Sequence, residues 1–183
     1  MGGTLDGGRT SRLALEHTLL AAQRAGARTE LFDVATLQIP FYVHGQQAPE
    51  QVRMLLDAVH QSDGLVWSTP LYHGSVSGVF KNLVDWLELL AHASPPYLTD
   101  KVVALICTAG GMQPMQGINA MEQMVRSLRG VTLPLVLPIE RAHLAFDEEG
   151  QPLDVRLTNQ FEHLGNELVR VSRRLAGVHV EDD

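Results

Sequence analysis

Short apolar runs alternate with amphipathic helical stripes along nearly the whole chain. Gly64–Ser68 and Val102–Cys107 are almost continuously apolar, which is typical of strands covered by helices on both faces. Apolar residues recur at helical spacing between such runs. The predicted helices are Ser11–Ala25, Val52–Ser62, Phe80–Leu90, Ile118–Leu128 and Phe161–Leu175. This alternation predicts an α/β fold with a doubly wound parallel sheet and ligand-binding loops at the carboxyl ends of its strands.

The amino-terminal end of this pattern is incomplete. Further strands are predicted at Thr29–Asp33 and Thr132–Leu137, and Leu37–Ala48 is predicted to be a loop. Only Met1–Gly3 precedes the glycine-rich segment that leads into the first helix. The first strand of the sheet is therefore apparently absent. We expect either that the true start lies upstream or that the sheet is completed in another way.

Length, charge and cysteine content restrict the class of protein. The 183 residues suit one domain, predicted at 1–176, with an acidic tail at 177–183. A net charge of -7 disfavours nucleic acid and anionic membranes as partners. One cysteine, Cys107, excludes an internal disulfide, and the first residues lack a secretory signal, so a cytoplasmic location is expected. No histidine spacing indicates a metal site.

The segment Gly3–Ser11 has the composition of an anion-binding loop. Its glycines let backbone N–H groups approach an anion, and the start of the following helix adds a positive dipole end. The hydroxyls of Thr4, Thr10 and Ser11 could donate to a phosphate, and Arg9 could add a charged contact. The spacing matches neither a P-loop nor the dinucleotide-binding fingerprint. The alternative is an amino-terminal tail that ends in a Ser/Thr helix cap.

The segment that follows the strand at Gly64–Ser68 carries a longer motif. It reads Thr69-Pro70-x-Tyr72, then Ser77-Gly78, Lys81-Asn82 and Asp85-Trp86-Leu87. This pattern resembles the signature of the NADPH-dependent FMN reductase family and fills every fixed position of it. Further short segments are most similar to the azobenzene reductase branch. They are Tyr72-His73, Gly3-Thr4, Gly8-Arg9-Thr10, Gly110-Gly111 and Gly117-Ile118-Asn119-Ala120.

A third loop, Thr108–Met112, leaves the carboxyl end of the strand Val102–Cys107. Its two adjacent glycines would let the chain lie against a flat ring and direct backbone N–H groups at ring carbonyls, which suits the pyrimidine edge of a flavin. Taken alone, two glycines after a strand indicate a tight turn more often than a binding site.

The resemblance implies a fold, cofactors and a site. The fold would be flavodoxin-like, with strand order 2-1-3-4-5 and FMN at the switch point. The FMN phosphate would be held by Thr4, Arg9, Thr10 and Ser11. The flavin ring would be flanked by Pro70, Leu71, Tyr72 and His73. Its pyrimidine end would face Ala109, Gly110 and Gly111. NADPH or NADH would donate hydride to the flavin, which would pass it to a second molecule in a ping-pong scheme. No protein side chain is expected to act as a catalytic residue.

The resemblance leaves the reaction partner open. The acceptor would be an azo dye, a quinone or free flavin. A flavodoxin-type electron carrier is the alternative, although Leu71–Ser75 contains none of the carboxylates usual in such loops. An interaction module that has lost FMN is a third possibility. Lys81 and Asp85 are spaced for a local ion pair, Trp86 is expected to pack, and the family implies a homodimer or homotetramer.

Overall fold

A sheet of mainly parallel strands forms the centre of the fold. The computed structural model describes residues 1–3 and 9–177. The strands are β1 (Gly64–Tyr72), β2 (Ser75–Val76), β3 (Val102–Thr108) and β4 (Val131–Ile139). Their order is β2-β1-β3-β4; β1, β3 and β4 run parallel, and β2 pairs antiparallel with the end of β1.

Helices cover both faces of this sheet. They are α1 (Arg9–Arg24), α2 (Val34–Leu37), α3 (Glu50–Gln61), α4 (Gly78–Asp85), α5 (Met115–Ser127) and α6 (Val155–Leu175), with 3-10 segments at Trp86–Leu90 and Ala142–Leu144. Apolar residues of α1 and α6 form one core with one face of the sheet, and those of α3, α4 and α5 form a second core with the other. The doubly wound prediction is confirmed.

Strand β3 lies at the centre of both cores. All seven of its residues are buried, as its uninterrupted apolar sequence predicts for a strand covered on both faces. It extends the predicted run by one residue, to Thr108, and β1 extends four residues beyond the predicted Ser68. These extensions carry the polypeptide to the edge where the candidate loops begin.

The predicted strand Thr29–Asp33 is wrong. Within the described residues, only Asp33 of this segment forms a β-bridge, and its partner is Gly2. A strand requires a neighbour along its length, but Gly2 is the residue that stands between Asp33 and Ser68 of β1. Thr29, Glu30 and Phe32 instead line a cleft together with Gly64–Val66 at the start of β1. The residue pattern of Thr29–Asp33 does not show whether a neighbouring strand is available to pair with it, so the prediction failed here.

Residues 1–3 lie where the first strand of a flavodoxin-like sheet belongs. Gly2 N–H donates to Phe32 O at 3.1 Å, and Gly3 N–H donates to Ser68 O at 3.2 Å. Gly2 thus bridges in parallel to both neighbours, although residues 1–3 are too few to form a regular strand. Gly2 therefore marks the place of the first strand in the order 2-1-3-4-5.

The helix predicted at Phe80–Leu90 divides into two parts. Helix α4 begins at Gly78, where the Ser77 hydroxyl caps it by accepting from Phe80 N–H at 3.3 Å. At Trp86 the chain tightens into the 3-10 segment. The short elements α2 and β2 were not predicted, because two to four residues are too few to show a period.

Among the described residues, no helix is long and apolar enough to cross a membrane.

Candidate functional site

The carboxyl ends of β1 and β3 bring two of the predicted loops together. Pro70 of β1 lies directly opposite Thr108 of β3 in the parallel register, and Thr108 lies opposite Ile139 of β4. The segment Pro70–His73 and the loop Ala109–Met112 therefore leave the same edge of the sheet side by side. This juxtaposition follows from parallel pairing, which the sequence predicts without giving the register.

The first turn of α1 reaches the same edge. The Ser68 hydroxyl donates to the backbone carbonyl of Ser11 at 2.7 Å, which ties the start of α1 to β1. The Ser11 hydroxyl itself is buried and has no hydrogen-bond partner among residues 1–3 and 9–177. An unpaired buried hydroxyl costs about 1–3 kcal/mol, so a bound acceptor would remove a penalty at this position.

The other predicted phosphate ligands are placed differently. Thr4 lies outside the described residues, as do the adjacent residues 5–8. Thr10 is half-buried in the first turn of α1. Arg9 is exposed and donates from Nη2 to the carbonyl of Glu148 at 2.6 Å, so this part of its guanidinium is held against the loop before α6.

The loop after β1 is fixed at both ends and exposed in the middle. Ser77 N–H donates to the Thr69 hydroxyl at 3.2 Å and closes the loop across its base. Pro70 and Leu71 are half-buried, whereas Tyr72 is 44% exposed and His73 is exposed. His73 adopts a left-handed backbone with φ 49°. The loop thus presents an exposed aromatic side chain on a fixed base.

The loop Ala109–Met112 presents backbone donors at the edge. Two of its carbonyls are occupied: Ala109 O accepts from Ala142 N–H at 2.9 Å, and Gly111 O accepts from Arg141 N–H at 3.0 Å. The N–H groups of Gly110, Gly111 and Met112 donate to nothing within the described part of the chain. A Cβ built on either glycine would meet no atom within 4 Å. This loop is therefore a fixed, open row of donors.

The motif residues in and after α4 have a structural function that the sequence interpretation missed. Asn82 accepts from Tyr42 N–H at 2.8 Å and donates to Pro40 O at 2.9 Å, and the Trp86 indole donates to the same Pro40 carbonyl at 3.0 Å. These two side chains hold Pro40–Tyr42 against α4. Trp86 is fully buried, as predicted. The predicted pair forms as well, with Lys81 Nζ 2.5 Å from Asp85 Oδ1.

Replacing Asn82 by leucine is expected to lower the free energy of unfolding by about 1–3 kcal/mol, because Tyr42 N–H loses its acceptor in a partly buried place. Urea denaturation measures the change. Lys81→Gln is the control: it breaks an exposed ion pair on the same helix and should cost about 0.5 kcal/mol or less. Equal losses in the two variants would contradict the anchoring role of Asn82.

Cys107 is buried in β3, and its side chain is a protonated thiol at neutral pH. Burial raises the pKa of its thiol to about 12, against a small lowering by a backbone hydrogen bond from Gly117. A Cβ on Gly117 would approach the sulfur to 2.4 Å, so α5 packs directly on it.

We expect native Cys107 to resist alkylation by iodoacetamide at about pH 8, because only a minute fraction is thiolate and the sulfur is covered. Mass spectrometry before and after denaturation measures the difference. The unfolded chain should be labelled rapidly under the same conditions. Rapid labelling of folded protein would show that β3 is accessible.

One cavity lies away from these loops. It has a volume of about 680 Å³ and is lined by residues 28–30, the amino end of β1, and facing residues of α1, α3 and α6. The donor row of Gly110–Met112 stands at the opposite, carboxyl end of the strands. Within the described residues, no group of three or more His, Cys, Asp or Glu side chains is placed to bind a metal ion.

Solved flavoproteins share this arrangement. FerB from Paracoccus denitrificans, a flavoenzyme NAD(P)H:(acceptor) oxidoreductase, superposes with a TM-score of 0.76 over 95% of each chain at 20% identity. A WrbA-like flavodoxin from Agrobacterium tumefaciens superposes with a TM-score of 0.66 over 94% of each chain at 15% identity. The sheet order and the loops at its carboxyl edge define a flavodoxin-like protein.

Sequence similarity identifies the family within this class. The family model for NADPH-dependent FMN reductase matches residues 1–143. The chain belongs to the NADPH-dependent FMN reductase family. The NADPH-dependent FMN reductase ArsH of Acidithiobacillus ferrooxidans is 36% identical over 129 residues, which are 69% of this chain and 52% of that protein. An NADPH azoreductase of Bacillus sp. is 35% identical over 127 residues, 67% of each chain. This chain spans about half to two thirds of the length of these relatives.

Proposed function

We propose that this protein is an FMN-dependent NAD(P)H oxidoreductase that passes reducing equivalents to an azo dye, a quinone or free flavin by a ping-pong scheme. The observation that carries the proposal is the donor row of Gly110, Gly111 and Met112, whose N–H groups have no acceptor among the described residues, in a loop held by hydrogen bonds from Arg141 and Ala142 to Gly111 and Ala109. Membership of the family and its resemblance to azoreductases support the same activity.

The residues present fit FMN. A phosphate at the start of α1 would accept from the buried Ser11 hydroxyl, which otherwise has no partner, and from free N–H groups of the first turn. Thr10 and Arg9 are next to it in sequence and would add contacts, and Thr4 is proposed as a further ligand. The first turn of α1, the loop after β1 and the donor row lie at one edge of the sheet, and this arrangement supports a phosphate at α1 with the ring between the two loops.

The flavin, when bound, supplies the hydride chemistry. The protein's part is to bind and orient. The Gly110–Met112 N–H groups would hold the carbonyls of the pyrimidine end, and Pro70, Leu71, Tyr72 and His73 would flank the ring. The open space over both glycines leaves room for a planar group to approach the backbone. No general acid or base is needed for hydride transfer, so we assign no catalytic side chain.

An absorbance spectrum with added FMN, followed by anaerobic NADPH, tests the proposal. Bound-flavin absorbance near about 450 nm that bleaches rapidly with NADPH, and returns when an azo dye or quinone is added, is the expected result. Bound flavin that persists after NADPH would indicate an electron carrier of flavodoxin type. Absence of FMN binding would refute the assignment of the site.

A further inference from the structure

Arg141 is attached to the donor row at two points. It lies between the end of β4 and the 3-10 segment Ala142–Leu144. Its N–H donates to Gly111 O at 3.0 Å, and its guanidinium Nη2 lies 3.9 Å from the sulfur of Met112. The backbone and the side chain of Arg141 therefore both lie against the loop that we assign to the flavin ring.

The charge of Arg141 is not neutralised locally. The residue is exposed, and no carboxylate oxygen of the described residues forms an ion pair with it within 4.0 Å. A guanidinium stays charged at all physiological pH values and binds phosphate, carboxylate or sulfonate with paired N–H donors. The chain carries a net charge of -7, so this exposed cation contrasts with the average charge of the molecule.

An exposed apolar side chain lies beside the guanidinium. Met112 is 64% exposed, and Tyr72, on the neighbouring loop, is 44% exposed. A planar molecule that approaches the ring site would rest on such side chains, while a charged substituent at its margin would meet Arg141. The combination of an apolar surface and one unpaired cation suits a planar substrate with an anionic group.

We propose that Arg141 determines substrate specificity, favouring substrates that carry an anionic group such as the 2′-phosphate of NADPH or the carboxylate or sulfonate of an aromatic acceptor. This inference rests on the proposed reductase function. Arg141 acts on binding and does not take part in hydride transfer.

Arg141→Gln, compared with the unchanged protein, tests this role. Calorimetry on the FMN-loaded protein with 2′,5′-ADP and 5′-AMP isolates the 2′-phosphate from catalysis. Steady-state kinetics then compare NADPH with NADH, and a carboxylated azo dye with a neutral one. We expect about a tenfold loss of affinity, or rise in KM, for the anionic member of a pair, with kcat unchanged. Arg141→Lys should recover part of the effect.

Arg129→Gln is the matched control. Arg129 is also exposed and also has a left-handed backbone conformation, with φ 66° against 45° for Arg141. It lies at the amino end of β4, however, and its guanidinium is over the Tyr97 ring. Arg129→Gln should leave unchanged both the ratio of NADPH to NADH and the ratio of the carboxylated dye to the neutral dye.

The outcomes separate the sources of the anion. A loss confined to NADPH and 2′,5′-ADP assigns Arg141 to the nucleotide, and a loss confined to the carboxylated dye assigns it to the acceptor. Equal changes for charged and neutral members, or no change in any pair, would overturn the proposal. Failure of the unchanged protein to oxidise NADPH would refute the reductase function instead, and the 2′,5′-ADP measurement would still report on Arg141.

Discussion

Ser11→Ala is expected to weaken FMN binding by about 10- to 100-fold and to leave riboflavin binding unchanged. The Ser11 hydroxyl is buried at the first turn of α1 without a partner, so the phosphate would be its acceptor. A hydrogen bond to a charged group contributes about 1.5–3 kcal/mol, which corresponds to this range of affinity. Removing a hydroxyl that is unsatisfied in the free protein should also make the free protein slightly more stable.

Flavin fluorescence titrations with FMN and riboflavin measure the two affinities. Riboflavin lacks the phosphate and therefore reports on the ring site alone. Ser127→Ala is a control variant, because this exposed serine lies at the end of α5 and its hydroxyl donates to Met124 O. If Ser11→Ala weakens both flavins equally, or neither, then α1 does not bind the phosphate.

Gly165→Val is expected to lower the free energy of unfolding by about 3 kcal/mol, a large part of the 5–15 kcal/mol typical of a domain. At Gly165, α6 packs closely on α1. A Cβ at this position would lie 2.7 Å from Ala21 Cβ, 2.7 Å from Thr18 O and 2.8 Å from Ala22 N. Two of these atoms are backbone and cannot move aside, so the helices must separate.

Urea denaturation measures the loss. Asn166→Val places the same side chain at the next, exposed position of α6, so it introduces valine into the same helix without the contact with α1. It should change the free energy of unfolding by about 0.5 kcal/mol or less. Comparable stabilities for the two variants would contradict the close packing of α1 and α6.

The central strands and the helices could be predicted because their sequences show the relevant period or a continuous apolar run. Val102–Cys107 is such a run, and β3 is buried throughout. Thr29–Asp33 shows why this reasoning fails elsewhere. A strand is defined by hydrogen bonds to a neighbour, and within the described residues the neighbour of this segment is Gly2 alone. Similarly, no local pattern in the sequence indicates that Asn82 binds Pro40 and Tyr42, some forty residues earlier.

For the candidate site, the sequence by itself determined which loops carry the motif residues and, through the family signature, which cofactor they suit. Loop composition and the order of strands and helices are local properties, so they can be read from the chain. Three properties of the site came from the three-dimensional arrangement of the described residues: the N–H groups of Gly110–Met112 lack acceptors there, the buried Ser11 hydroxyl lacks a partner there, and Arg141 lies beside Met112. These properties depend on the partners available to each group, and those partners come from distant parts of the chain that only folding brings together.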